Sequence, residues 1–308
     1  MRAAVLSAPD AVPGYVEQPE PVTARDDEVV VEVLAAAVHH LTRSRATGAH
    51  YSSTGTFPRV PGVDAVVRDP SGRLRYVVLD DTTAGTFAER TVIDVRRSVL
   101  LPDGVDPVQI AAAMNPGMSS WVALRRRIGF TAGQRVLVIG ATGNAGRMAV
   151  QVAKLLGAAH VVAAGRDTGR LAPLAALGAD ETCTLDQLDR AADVDVVLDY
   201  VWGEPAADGM VAILTARADR QAPLTWVQIG SMAGPTAPVP SVALRSARLQ
   251  IVGSGIGSVP AEDIVAELPD LAAAVTAGAI EVRARAVPLA EVAAAWTADT
   301  DERLVLVP

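Results

Sequence analysis

The 308-residue sequence predicts an α/β chain with a β-rich first third, a doubly wound parallel sheet in the middle and a mixed tail. Three observations predict it. Runs of β-branched residues crowd the first hundred positions. From Arg135 onward, buried strand patterns alternate with amphipathic helices, as a parallel sheet with crossovers requires. A glycine-spaced turn joins the first strand of that alternation to its helix.

In order, DEVVVEVLAAAV (Asp27–Val38) reads as a long strand, and GRLRYVVLDD and GTFAERTVI as short ones with turn residues between them. DPVQIAAAMNPGMSSWVALRRRIG reads as a helix, an interruption at Asn115-Pro116-Gly117, and a second helix. Strand RVLVIG then leads to helix NAGRMAVQVAKLLGA, strand HVVAAG, helix RLAPLAALGA, and strands DVDVVLDY and LTWVQIG. Two helical stretches, AEDIVAELPDLAAAVTAG and PLAEVAAAWTA, precede a closing strand, RLVLVP. The expected division is residues 1–115, 116–257 and 258–308, with the last part returning to the first domain.

Composition narrows the function. A net charge of −8 argues against nucleic acid, because phosphate binding needs a basic field. No run of 18 apolar residues exists, and Pro9 and Asp10 interrupt the N-terminus too early for a signal-peptide core. The expectation is a protein without a membrane span. The single cysteine, Cys183, excludes an internal disulfide and suits a reducing cytoplasm. Only one lysine, Lys154, stands among 27 Lys and Arg residues, so Schiff-base chemistry has a single candidate, on a helical pattern.

The glycine turn carries the strongest chemical signal. Glycines 140, 143 and 146 lie between a buried strand and a helix whose Ala145, Met148, Ala149, Val152 and Leu156 repeat at helical spacing. Ala141 stands at the first glycine of the usual GxGxxG fingerprint. Thr142, Gly143, Asn144, Ala145 and Gly146 are therefore the candidate pyrophosphate cradle, with the helix N-terminus supplying N–H groups. The second strand ends in Gly165-Arg166, where a carboxylate would grip the ribose 2′-OH of NAD. Arg166, with Arg170 a turn later, suits a 2′-phosphate instead, so the expected cofactor is NADPH; Asp167 is the opposing feature.

FPRVPGVDAV (Phe57–Val66), GTFAER (Gly85–Arg90), NPGMSSWVAL (Asn115–Leu124), VLVIGATGNAG (Val136–Gly146), DVVLDYVWG (Asp195–Gly203) and PLAEVAAAW (Pro288–Trp296) occur in one order. That order resembles the medium-chain dehydrogenase/reductase superfamily, in its zinc-independent quinone oxidoreductase and enoyl reductase branch. The resemblance implies a GroES-like β domain built from both chain ends, a Rossmann domain between them, and an active site at their junction. It also implies a homodimer joined through the Rossmann domains, with LQIVGSGIG as the pairing edge. Asn115 and Ser119 are implied contacts of the nicotinamide amide or of the substrate oxygen, Asn115 counting as a substrate-binding candidate too, and Tyr200, Gly230, Ser231 and Ser254 are further cofactor positions. Three departures stand out: the shortened segment after PGVDAV, Glu302-Arg303 in place of Gly-Lys, and Tyr200 and Trp202 in place of small residues.

AVHHLTRSRATGAHY holds His39, His40 and His50, three of the four histidines. In zinc-dependent relatives a cysteine near this point and a Gly-His-Glu motif bind metal. Here His39 stands near the cysteine position, and the motif is Gly62-Val63-Asp64, without its histidine. A catalytic zinc needs three protein ligands, so no metal is expected. His39 and His40 are then either ordinary hydrogen-bonded loop residues or substrate contacts. The resemblance places Tyr51 at the active site, where a phenol can hydrogen-bond or protonate a developing enolate. The resulting expectation is an NADPH-dependent reductase of a quinone or of the β-carbon of a conjugated carbonyl. Rivals are a tailoring reductase for a large enone or imine, with Trp202 and Tyr200 as an apolar wall, and a non-catalytic NADPH-binding module.

Overall fold

The computed structural model describes residues 1–80, 82 and 84–308. The chain divides into two compact units. One comprises Met1–Asn115, Val265–Gly278 and Val282–Pro308; the other comprises Pro116–Ile264 and Ala279–Glu281.

In the first unit the strand Glu28–Ala37 is the organiser. It pairs antiparallel with Asp64–Arg68, Arg90–Asp94 and Arg303–Val307. Asp64–Arg68 continues to Leu74–Val78 and then Ser98–Leu100. The predicted strand GRLRYVVLDD is thus shorter at both ends, and Asp81 lies outside the described residues. Arg303–Val307 also pairs parallel with Ala284–Pro288, so the C-terminal segment completes this sheet. The core beneath it gathers Val31, Val33, Ala65, Val67, Phe87, Ile93, Trp296 and Leu306. Alternate residues of Glu28–Ala37 point into it, as the period-2 pattern demands.

The second unit holds a parallel sheet. Among the described residues its order is Glu181–Thr184, His160–Gly165, Arg135–Ile139, Val196–Asp199, Leu224–Gln228 and Leu249–Gly253. The strand order reverses beside Arg135–Ile139, and ligands of such sheets bind outside the carboxyl ends at that switch. One face packs Leu137, Ile139, Val197, Met210, Ile213 and Trp226 into a core cluster. The short strand Glu181–Thr184 lacks an apolar signature and was not expected.

One expectation needs correction. Pro107–Val122 is a single helix with Pro116 inside it, followed by a wider turn over Ala123–Arg127. Proline removes one N–H and so one rung. Burial of Ile110, Ala111, Ala112, Ala113, Met114 and Trp121 along the helix outweighs that lost rung. The boundary between the units falls inside this helix, at Asn115. No helix among the described residues is long and apolar enough to cross a membrane.

Candidate active site

In the second unit, strand Arg135–Ile139 ends in Gly140, which takes a positive φ of 85°. Helix Asn144–Leu155 then starts from Gly143, whose lack of a side chain leaves the first N–H groups without a side-chain cap. A Cβ on Gly146 would run into the Gly140 carbonyl oxygen, so only glycine lets the helix sit this close. A Cβ on Gly143 would meet nothing nearer than 3.6 Å, which leaves the turn open on its outer side. Open N–H groups at a helix start form an anion cradle. A Cβ on Gly165 would meet Thr142 Cγ2 at 2.9 Å, so the second strand's end lies directly against this turn.

Arg166 and Arg170 follow, both exposed. The Asp167 carboxylate caps its own helix, accepting from the N–H groups of Gly169 (2.8 Å) and Arg170 (3.2 Å). The acidic group at the strand tip is therefore engaged locally, and the cationic Arg166 is the exposed charge beside it. These features fit a dinucleotide carrying a 2′-phosphate.

Two further turns border the carboxyl end of this sheet. Tyr200 is buried, and its hydroxyl lies 3.0 Å from Ser119 Oγ. Ser119 donates to the Pro116 carbonyl at 2.7 Å, so Tyr200 donates to Ser119. Burial pushes the Tyr200 phenol up to about 12. Gly230 and Ser231 lie in the turn after Leu224–Gln228, and Ser254 just past Leu249–Gly253 is buried. Trp202, expected on a substrate wall, packs partly buried against the core cluster of this unit.

In the first unit, His39 is buried and caps helix His40–Ala46. Its Nδ1 accepts from the Thr42 N–H at 3.2 Å, which leaves the proton on Nε2, 2.7 Å from Asp64 Oδ1. The other Asp64 oxygen accepts from the Tyr76 hydroxyl at 2.5 Å. Burial first, then Asp64, raises the Tyr76 pKa well above the phenol range. Both ring nitrogens of His39 therefore have partners within the unit. His40 begins the helix and turns outward; partial burial, then His39 and Arg43, lower its pKa. His50 stacks on Tyr51 with ring centroids 4.1 Å apart, and its Nδ1 accepts from the Ser52 N–H. Tyr51 itself is 73% exposed. Asn115 is half-buried in its helix.

Sequence reading missed Arg303 as a buried charge. Its Nη1 donates to the Val38 carbonyl at 3.2 Å, and burial lowers its pKa to about 10, against the pull of Asp64. The departure from Gly-Lys at Glu302-Arg303 was its only signal. Asp199 and Trp226 were also missed; nothing local marks either one. Among the described residues, no cluster of three or more His, Cys, Asp or Glu residues is arranged for a metal ion.

No protein-family model matches the chain. It is 30% identical over 346 residues to a probable NADPH-dependent quinone reductase of Emericella nidulans, across 96% of each protein. The chain belongs to the quinone oxidoreductase branch of the medium-chain dehydrogenase/reductase superfamily. The quinone oxidoreductase of Thermus thermophilus, solved alone and with NADPH, superposes with a TM-score of 0.83 at 27% identity, covering all of both chains. The chain is also similar to tomato 2-methylene-furan-3-one reductase, 30% identical over 216 residues, 62% of this chain and 55% of that one. Its two-unit architecture, with a β-rich unit from both chain ends and a parallel-sheet unit, matches that of the Thermus thermophilus quinone oxidoreductase.

Proposed function

We propose that this protein is an NADPH-dependent reductase that transfers hydride to a quinone or to the β-carbon of a conjugated carbonyl. The carrying observation is the open glycine turn with Arg166, rather than a free carboxylate, at the tip of the second strand. Its similarity to NADPH-dependent quinone and enone reductases supports the same reading.

NADPH, when bound, supplies the hydride. The chain's own residues do the rest. Helix Asn144–Leu155 would offer N–H groups to the pyrophosphate, and the exposed Arg166 would pair with the 2′-phosphate. Tyr51 is the proposed donor to the acceptor oxygen, exposed and stacked on His50. With His39 committed to Asp64 and Thr42, His40 is the remaining histidine of the pair for a substrate contact. The reaction is proposed to need no zinc, since His39 and Asp64 already satisfy one another.

A homodimer is part of the proposal. Leu249–Gly253 is the edge strand of its sheet, with a partner on one side among the described residues. Such an edge is a template for a second copy. A cytoplasmic setting is supported by the single, buried Cys183. The test is NADPH oxidation with quinones, enones, enoyl thioesters and cyclic imines. Acceptor-dependent loss of NADPH with quinones or enones is expected. Tight NADPH binding with no turnover by any acceptor would refute the enzymatic reading, and turnover of imines alone would move the acceptor class.

A further inference from the structure

Asp199 ends the strand Val196–Asp199 and is fully buried. One carboxylate oxygen accepts from the N–H groups of Val201 (2.8 Å) and Trp202 (2.9 Å). The other accepts from the Trp226 indole at 2.9 Å. The backbone carbonyl of Asp199 accepts from Ile229 (2.8 Å) and Gly230 (3.0 Å). A carboxyl group withdrawn from water is costly unless donors meet it, and here they do. Burial raises its pKa, while the three donors pull it back.

The turn that Asp199 holds is strained. Trp202 adopts φ 53° and ψ −160°, a region that glycine alone enters freely. Its N–H bond to Asp199 and the packing of its ring against the core hold it there. The same turn is wedged beside the cofactor cradle. A Cβ on Gly140 would meet Val201 Cγ2 at 3.1 Å and Tyr200 Cβ at 3.3 Å. A Cβ on Gly230 would meet the Tyr200 carbonyl oxygen at 2.7 Å. Tyr200 and Val201 therefore fill the space between the glycine turn and the Gly230–Ser231 turn, with no slack on either side.

We infer that Asp199 is a positioning residue whose carboxylate locks the Tyr200–Gly203 turn, and through it shapes the two flanking turns to receive the dinucleotide. Trp202 makes the lock a requirement, because a residue with a side chain does not hold this backbone unaided. The inference rests on the NADPH reading above.

The test uses the full chain with Asp199→Asn, alone and combined with Trp202→Gly. NADPH affinity is measured by calorimetry, and amide hydrogen exchange at Val201, Trp202 and Gly230 is measured without ligand. Asp199→Asn is expected to weaken NADPH binding at least tenfold and to speed exchange at Val201 and Trp202. Adding Trp202→Gly is expected to restore most of the affinity, since glycine keeps the turn without the carboxylate. A merely structural loss would not be rescued in this way. Wild-type affinity in Asp199→Asn would overturn the inference. So would a loss that Trp202→Gly leaves unrelieved in a protein folded by circular dichroism. If the wild-type chain binds no NADPH, the functional reading falls, and exchange decides the lock: faster exchange in Asp199→Asn supports it, unchanged exchange overturns it.

Discussion

His39 Nε2 lies 2.7 Å from Asp64 Oδ1, and their side chains are 2% and 1% exposed. By the family resemblance, His39 stands near the cysteine position of zinc-dependent relatives, and Asp64 stands where their Gly-His-Glu motif has its glutamate. A hydrogen bond to a carboxylate in a dry interior is strong, and leaving either partner alone is expensive. His39→Ala is expected to destabilise the protein by about 3 kcal/mol, read from urea unfolding. A change below about 0.5 kcal/mol would mean that the pair contributes little.

The same pairing bears on metal content. Purified protein is expected to contain no stoichiometric zinc, and strong chelators to leave folding and activity unchanged. Elemental analysis finding one zinc per chain would contradict this, and His39, His40 and Asp64 would be the first ligands to replace.

The proposed role of Arg166 is to set the cofactor preference. NADPH is expected to bind more than tenfold tighter than NADH, a difference of about 1.4 kcal/mol. Arg166→Ala is expected to remove most of it. Equal binding of both cofactors by the wild type would count against the reading of this loop.

Tyr51→Phe keeps the ring stacked on His50 and removes only the hydroxyl. Hydride arrival at an enone β-carbon leaves negative charge on the carbonyl oxygen. A donor there acts mainly in the transition state. Enone turnover is therefore expected to fall by about 10²-fold, with NADPH affinity intact and a smaller loss for quinones. Near-normal enone turnover would reduce Tyr51 to a shape role.

Stability at high pH follows from two buried acids. Burial raises the Cys183 thiol to about 11 and the Tyr200 phenol to about 12. Each keeps its proton in the folded chain at pH values where the unfolded chain has lost it. The folded state then binds more protons, so stability falls as pH rises from about 8 toward 11 and beyond. Below about pH 7.5 both states keep these protons, and these two groups add no slope. Urea midpoints measured across this range check the sign; a midpoint that rises would refute it. Cys183 is likewise expected to resist thiol reagents in the native protein at neutral pH.

The glycine turn was legible in sequence because it is local. Strand, turn and helix are contiguous, and each glycine answers a backbone demand within a few residues. Arg166 was legible for the same reason, since it directly follows the next strand, His160–Gly165. The helix through Pro116 was not, because the apolar burial that outweighs proline comes from tertiary packing. Nor could sequence separate His39 from His40. An extended cap followed by a helix start sends one ring inward and the other out, and Asp64 waits 25 residues away.

The two-part α/β plan, the glycine turn and the cation at the next strand's tip follow from the linear order of residues, because they depend on periodicity and on steric rules within one element. The commitments of the buried polar groups come instead from long-range packing. His39 and Asp64, Tyr200 and Ser119, and Asp199 and Trp226 meet across 25, 81 and 27 residues of chain. Strand Arg303–Val307, drawn from the far end of the chain, completes the first unit's sheet and carries Arg303 into that interior. A buried polar group must find a partner, but which partner depends on how distant strands stack, and no spacing along the chain records that.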